Sequence, residues 1–183
     1  MSQGKLKKQS ESSSLIQRLI REGSLLCYFL LALFLLIALL SYSPNDPGYF
    51  NTGLESDVGN SVGVYGAYIA DILLQLFGHL SYTVPLLLIY KVYSAFKETS
   101  LEEEFSLPLF AFQCFGFLLL LFSACGLSAI HFEVSDDMPY LSGGVVGSLL
   151  VEASIPALAV LGSTLFFFAL FLFAPVSYTH LTL

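Results

Sequence analysis

All seven Lys and Arg residues of this chain fall on one side of a series of four long apolar stretches. Lys5, Lys7, Lys8, Arg18 and Arg21 precede the first stretch, and Lys91 and Lys97 lie between the second and third. The other two connections carry none. Short loops that cross a membrane exclude basic residues, whereas cytoplasmic loops retain them. The distribution therefore predicts an all-α membrane protein of four transmembrane helices with its N-terminus in the cytoplasm. Composition agrees, with 56% hydrophobic and 11% charged residues, where a soluble domain carries about a quarter charged. About twenty apolar residues in a helix match the ~30 Å of bilayer hydrocarbon.

The net charge is −7, from 14 acidic against 7 basic residues. Asp46, Glu55, Asp57, Glu133, Asp136 and Asp137 sit in the base-free connections, but acidic residues hardly influence orientation. Without a basic stripe the chain has no electrostatic footprint for gripping DNA itself. No G-x-x-x-x-G-K-[ST] occurs, so the chain has no nucleotide-hydrolysing loop, is not expected to be an enzyme and implies no cofactor. Cys27, Cys114 and Cys125 lie in apolar stretches. An odd count without paired spacing gives neither a disulfide framework nor a zinc site, and all three read as small buried hydrophobes.

Three regions follow along the chain. Residues 1–22 form a polar cytoplasmic lead, irregular over its first fourteen residues, with a short interfacial helix over Leu15–Arg21. Residues 23–174 form the membrane domain, with spans at about 24–42, 67–91, 107–130 and 155–174. The first span lacks an A-x-A cleavage site and reads as a retained anchor rather than a signal peptide. Short Gly-rich lead-ins, helical or re-entrant, precede spans two and four and hint at a weak two-span repeat. Residues 175–183 turn abruptly polar without the basic residues of a cytoplasmic exit, so they read as a non-native tail or truncation scar, and His180 is given no role.

Within the second span, twenty residues separate Asp71 from Lys91, about one hydrocarbon thickness, which sets Asp71 near the outer interface. Pro85 should kink this span. Gly59, Gly63 and Ala67, spaced by four, make a smooth stripe for close helix approach. Asp71, Gln75, His79 and Tyr82 form a polar arc on one helical face. An intramembrane acid suggests a proton or ion path; interhelical hydrogen bonding and helix capping is the favoured reading. The other spans supply only Gln113, Ser123, Ser128, Ser163 and Thr164 as partners. Ser128 and His131 invite comparison with intramembrane proteases, yet both sit at one helix end without an orienting carboxylate. Glu133, Asp136 and Asp137 lack calcium-loop spacing. Gly143-x-x-x-Gly147 is a helix-packing signal, with a flexible or re-entrant segment as its alternative.

Four blocks of residues carry a family resemblance. They are Ser41-Tyr42-Ser43-Pro44-Asn45-Asp46-Pro47; Asn60, Gly63, Gly66-Ala67-Tyr68, Ala70-Asp71, Phe77-Gly78, Tyr82 and Pro85; Ser123-Ala124-Cys125-Gly126-Leu127; and Gly143-Gly144-Val145-Val146-Gly147. In order and spacing they resemble the N-terminal four-span membrane domain of FtsK-type (FtsK/SpoIIIE) bacterial DNA translocases, over roughly residues 24–174. Gln75 and His79 stand outside that pattern. The resemblance implies an inner-membrane anchor at the division septum that self-associates and contacts other cell-division membrane proteins. It also implies an ATP-driven DNA motor beyond a cytoplasmic linker, neither of which is in this chain. Asp71, Tyr82, Pro85, Gly63, Gly66, Gly143, Gly144 and Gly147 are the candidate helix-packing or interaction residues. The rival reading is a fragment of a small secondary transporter using Asp71, His79 and Glu152, since such carriers show repeats and broken helices.

Overall fold

The computed structural model describes the backbone of residues 2–50, 58–97, 107–132 and 141–179. The candidate acids Glu55, Asp57, Glu133, Asp136 and Asp137, and His180, lie outside these residues. Helix α1 spans Ser2–Leu40. Neither Gly nor Pro occurs between Gly23 and Pro44, so nothing interrupts a run of strong helix formers. The lead expected to be irregular is helical and continuous with the first span, because its Lys, Gln, Glu and Leu residues also favour helix.

The second stretch is bent. Helix α2, Gly63–Phe77, passes into a 3-10 turn, Gly78–Tyr82, and then into α3, Thr83–Lys97. Two long elements follow, α4 over Leu107–His131 and α5 over Gly144–Thr179. Helix α5 is itself interrupted at Ala159, whose φ of 55° and ψ of 175° are not helical. Four stretches are long and apolar enough to cross a membrane: Arg18–Leu40, Gly63–Lys97, Ala111–His131 and Gly144–Ala174. At 35 and 31 residues, the second and fourth exceed what a bilayer needs.

The excess is folded over. Asn60 and Tyr82 bond the adjacent carbonyls of Ala38 and Leu39, although twenty-two residues of straight helix would separate them by roughly 33 Å. Helix α2 must therefore lie across the end of α1, and the chain reverses at Gly78 before α3 runs back along α1. Ser81 Oγ donates to the Leu73 carbonyl at 2.5 Å across this elbow. The same construction recurs in the second half. Ser142 bonds the Ser128 and Phe132 carbonyls near the end of α4, yet Thr164 also meets His131 there. The lead-in of α5 lies across the end of α4, and beyond Ala159 the chain returns along α4. Both lead-ins are thus helical.

The elbow in the second stretch sits at Gly78, whose φ of 58° only glycine adopts readily. Pro85 falls in the first turn of α3, where its missing N–H has no helical partner to lose. The expected kink therefore lies seven residues upstream of the proline. A buried cluster of Ala38, Leu39, Ala70 and Leu74, flanked by Tyr42, Val62, Leu73 and Tyr82, joins α1 to α2 and the elbow. Elsewhere large apolar side chains point outward. Leu161, Leu165, Phe168 and Leu172 are each more than half exposed and share one face at helical spacing. Such a face is stable against lipid tails, not against water.

Candidate functional site

A helix leaves its last four carbonyls without intrahelical donors, and three of them at the end of α1 have found donors. Ser41 satisfies Ile37 through both its backbone N–H and its Oγ. Asn60 Nδ2 donates to Ala38 at 2.8 Å, and Tyr82 Oη to Leu39 at 3.1 Å. The Asn60 carbonyl closes the turn onto Gly63 N–H, while its side-chain Oδ1 accepts from Val62 N–H. Asp46 is buried and accepts from the N–H groups of Gly59 and Asn60 at 2.7 and 2.9 Å. Asp46 holds the turn, the turn positions Asn60, and Asn60 caps α1. Each such bond contributes about 0.5–1.5 kcal/mol net, but a buried group left unpaired costs about 1–3 kcal/mol.

Asp71 belongs to this clasp. It is 2% exposed and accepts from the backbone N–H of Phe50 at 2.7 Å and from Tyr42 Oη at 3.4 Å. The loop comes so near that a Cβ on Gly48 would lie 2.5 Å from Asp71 Oδ2. The carboxylate therefore ties residues 42–50 onto α2. The polar arc is broken up, because its geometry assumed one straight helix: Asp71 is buried, Gln75 half-buried, and His79 exposed on the 3-10 turn.

A second junction joins the two halves. Cβ atoms on Gly143 and Gly147 would each run into the Cys125 carbonyl and meet the Ala129 methyl, so the Gly-x-x-x-Gly pair brings α5 backbone to backbone with α4. One turn deeper, Gly126 faces the ring of buried Phe167. Gly144, with φ of 64°, faces Leu76 and Phe77; Gly78 in return faces the Leu141 and Ser142 carbonyls. His79 N–H donates to the Ser142 carbonyl at 3.3 Å. Here the approach is so close that neither glycine has room for a side chain.

Of the remaining candidates, Gly66 packs on Asn60 and Val62. Gly63 has no atom within 4 Å of an added Cβ, and its φ of 76° starts α2 instead. Gly59 lies before α2, against Asp46. The Gly59–Gly63–Ala67 stripe is therefore not a helix-packing face, because the helix that would align it begins only at Gly63. His131 does not turn to Ser128 Oγ: its Nε2 lies 3.0 Å from Thr164 Oγ1. Glu152 is exposed and lines a cavity of about 240 Å³ with Ala129, Phe132, Ser142 and Ser148. That is smaller than the roughly 300–1,000 Å³ of small-molecule sites, and no described contact joins it to Asp71. Among the described residues no group of three or more His, Cys, Asp or Glu could hold a metal.

Asp46 and Asn60 carry the clasp, yet Asp46 reads in the sequence as one loop acid among several. The usable signal was the Asx-type turn chemistry of Asn60 three residues before Gly63.

The family model for the 4TM region of DNA translocase FtsK/SpoIIIE matches residues 17–183. Among curated relatives, a DNA translocase FtsK from Pseudomonas putida is 38% identical over 163 residues, covering 89% of this chain and 20% of the relative. The DNA translocase FtsK of Vibrio vulnificus is also 38% identical, over 88% of this chain and 16% of its own length. That of Shewanella oneidensis is 34% identical over 82% and 16%. The chain thus spans a fifth or less of the length of these relatives. No solved structure matches it. The part of the family it resembles is a membrane region, not a catalytic one. With four apolar helices tied together by clasp and glycine junction, the chain belongs to the FtsK/SpoIIIE family of DNA translocases, as their multi-pass, inner-membrane 4TM region.

Proposed function

We propose that this domain anchors a DNA translocase at the division septum, with both its N-terminus and the end of its fourth span in the cytoplasm. The observation that carries the reading is the family match across four spans, joined to the confinement of all seven basic residues to two of the connecting regions. An even number of crossings returns the chain to the side where a DNA motor must work. In the longer parent, ATP hydrolysis and DNA pumping belong to parts outside this region. The region's own roles are anchoring, self-association and contact with other cell-division membrane proteins. Its exposed apolar faces suit lipid and neighbouring helices.

A fluorescent protein fused after Phe173 tests the septal role in dividing bacteria. Enrichment at midcell is expected; uniform fluorescence around the cell membrane contradicts it. Self-association is tested separately, by sedimentation of the detergent-solubilised chain. A species of monomer mass at all concentrations contradicts that part.

A further inference from the structure

The two halves of the chain repeat at a constant offset of 81 residues. Ser61–Gly66 reads Ser-Val-Gly-Val-Tyr-Gly, and Ser142–Gly147 reads Ser-Gly-Gly-Val-Val-Gly. Each turn is closed by the same bond, Gly63 N–H to Asn60 and Gly144 N–H to Leu141, at 2.8 and 2.9 Å. Each turn glycine has positive φ, 76° and 64°. Fifteen residues later each chain reverses at an elbow of similar backbone: Gly78 with φ of 58° and ψ of −141°, Ala159 with φ of 55° and ψ of 175°.

Inside one molecule, the turn of the second half fills the elbow of the first. Ser142 and Gly144 are buried there against Leu76, Phe77 and Gly78, while Gly143 between them packs on Cys125 and Ala129 of α4. The reciprocal pair is open at both ends. Ser61 is exposed, Val64 is 47% and Tyr65 81% exposed, and a Cβ on half-buried Gly63 would meet no atom of the described residues within 4 Å. At the other elbow Ala159 is exposed, with Leu158 at 46%, Val160 at 52% and Leu161 at 74%. A turn and an elbow of the kinds already joined once are thus left unjoined on separate parts of the surface.

We propose that the Ser61–Tyr65 turn of one copy docks at the Pro156–Leu161 elbow of a second copy. The contact pairs the same two kinds of element as Ser142–Gly144 with Leu76–Gly78 within the chain, without the same backbone approach, because Ala159 carries the Cβ that Gly78 lacks. Such a head-to-tail interface uses two different patches, so it propagates, closing into a ring when the rotation per copy allows. The Ser61 turn lies at the end of α1, where its N–H meets Ser41 Oγ, and Thr164, five residues past Ala159, meets His131 at the end of α4. Ala159 departs from the pattern: its methyl group stands where Gly78 admits carbonyls, which holds the joined backbones further apart. The contact between copies is therefore weaker than the one within, and glycine at this position strengthens it.

The inference rests on the self-association proposed above and names its surface. The test uses the full chain in membranes, with Ser61→Cys and Val160→Cys on separately tagged, co-expressed copies. A Ser61→Cys with Leu172→Cys pair serves as control and also corrects for the native Cys27. Oxidation is expected to give at least fivefold more mixed-tag dimer for the first pair than for the control. Ala159→Gly is expected to lower the half-association concentration in detergent by threefold or more. Mixed dimer no greater than in the control overturns the interface. So does an unchanged or weakened association in Ala159→Gly. If the chain sediments as an associated species while these results fail, the interface is wrong but self-association stands; a strict monomer removes both.

Discussion

Three glycines with positive φ do different work, and single methyl groups separate their roles. Gly63 needs only its backbone freedom, since an added Cβ would meet no atom of the described residues within 4 Å. Gly63→Ala should therefore cost about 1–2 kcal/mol of left-handed strain and no more. Gly78 and Gly144 carry the same strain and also face backbone, Gly78 that of Leu141, Ser142 and Gly144 and Gly144 that of Leu76 and Phe77. Gly78→Ala should exceed 3 kcal/mol or prevent folding, because backbone carbonyls cannot move aside as a flexible side chain can. Thermal denaturation of the purified chain in detergent ranks the two; equal losses would show that the close approach is not real. At the clasp, Asn60→Ala strands the Ala38 carbonyl and should lower stability by about 1–3 kcal/mol. Ser163 gives the opposite sign: its Oγ is buried without a partner among the described residues. Ser163→Ala removes an unsatisfied group and should be neutral or stabilising by about 1 kcal/mol in the same assay.

Apolar length and composition give four membrane elements but not their bends. The stretch from Gly63 to Lys97 reads as one over-long span because hydropathy is continuous through Phe77, Leu80 and Val84. What bends it is one glycine's backbone angle, fixed by a turn sixty-odd residues away. Pro85 was the louder local signal and marks only the first turn of the helix that follows. The fourth stretch is harder still, since an alanine occupies its elbow. Ala159 adopts a φ of 55° that costs an alanine about 1–3 kcal/mol. Ala159→Gly should recover part of that and raise the melting temperature; no rise, or a fall, would argue against the elbow. The Gly-x-x-x-Gly spacing leaves a local trace in composition, but the sequence alone left a flexible or re-entrant segment as its alternative. Replacing Gly147 by Leu should separate α4 from α5 and sharply reduce the yield of folded protein. The clasp was only half legible. Asp71 stands out in an apolar run, whereas its partners Tyr42 and Phe50 contribute from a loop whose path no local pattern gives.

The molecule is built as two copies of one hairpin. In each, a lead-in helix lies across the end of a span before the chain reverses and crosses back. This explains how a chain of 183 residues spends long apolar stretches on only four crossings. It also explains why burial is concentrated where the lead-ins fold over, while the crossings expose Leu and Phe to lipid. The anchoring role needs the crossings and their direction; the clasp and the glycine junction make them one unit. The proposed direction rests on the basic residues alone, and reporter fusions measure it without dependence on any packing detail. Alkaline phosphatase, active only after export, and green fluorescent protein, fluorescent only in the cytoplasm under these conditions, are fused after Gly48, Lys97, Phe132 and Phe173. The account predicts phosphatase activity at Gly48 and Phe132 and fluorescence at Lys97 and Phe173. Phosphatase activity after Phe173, with no fluorescence there, would contradict it.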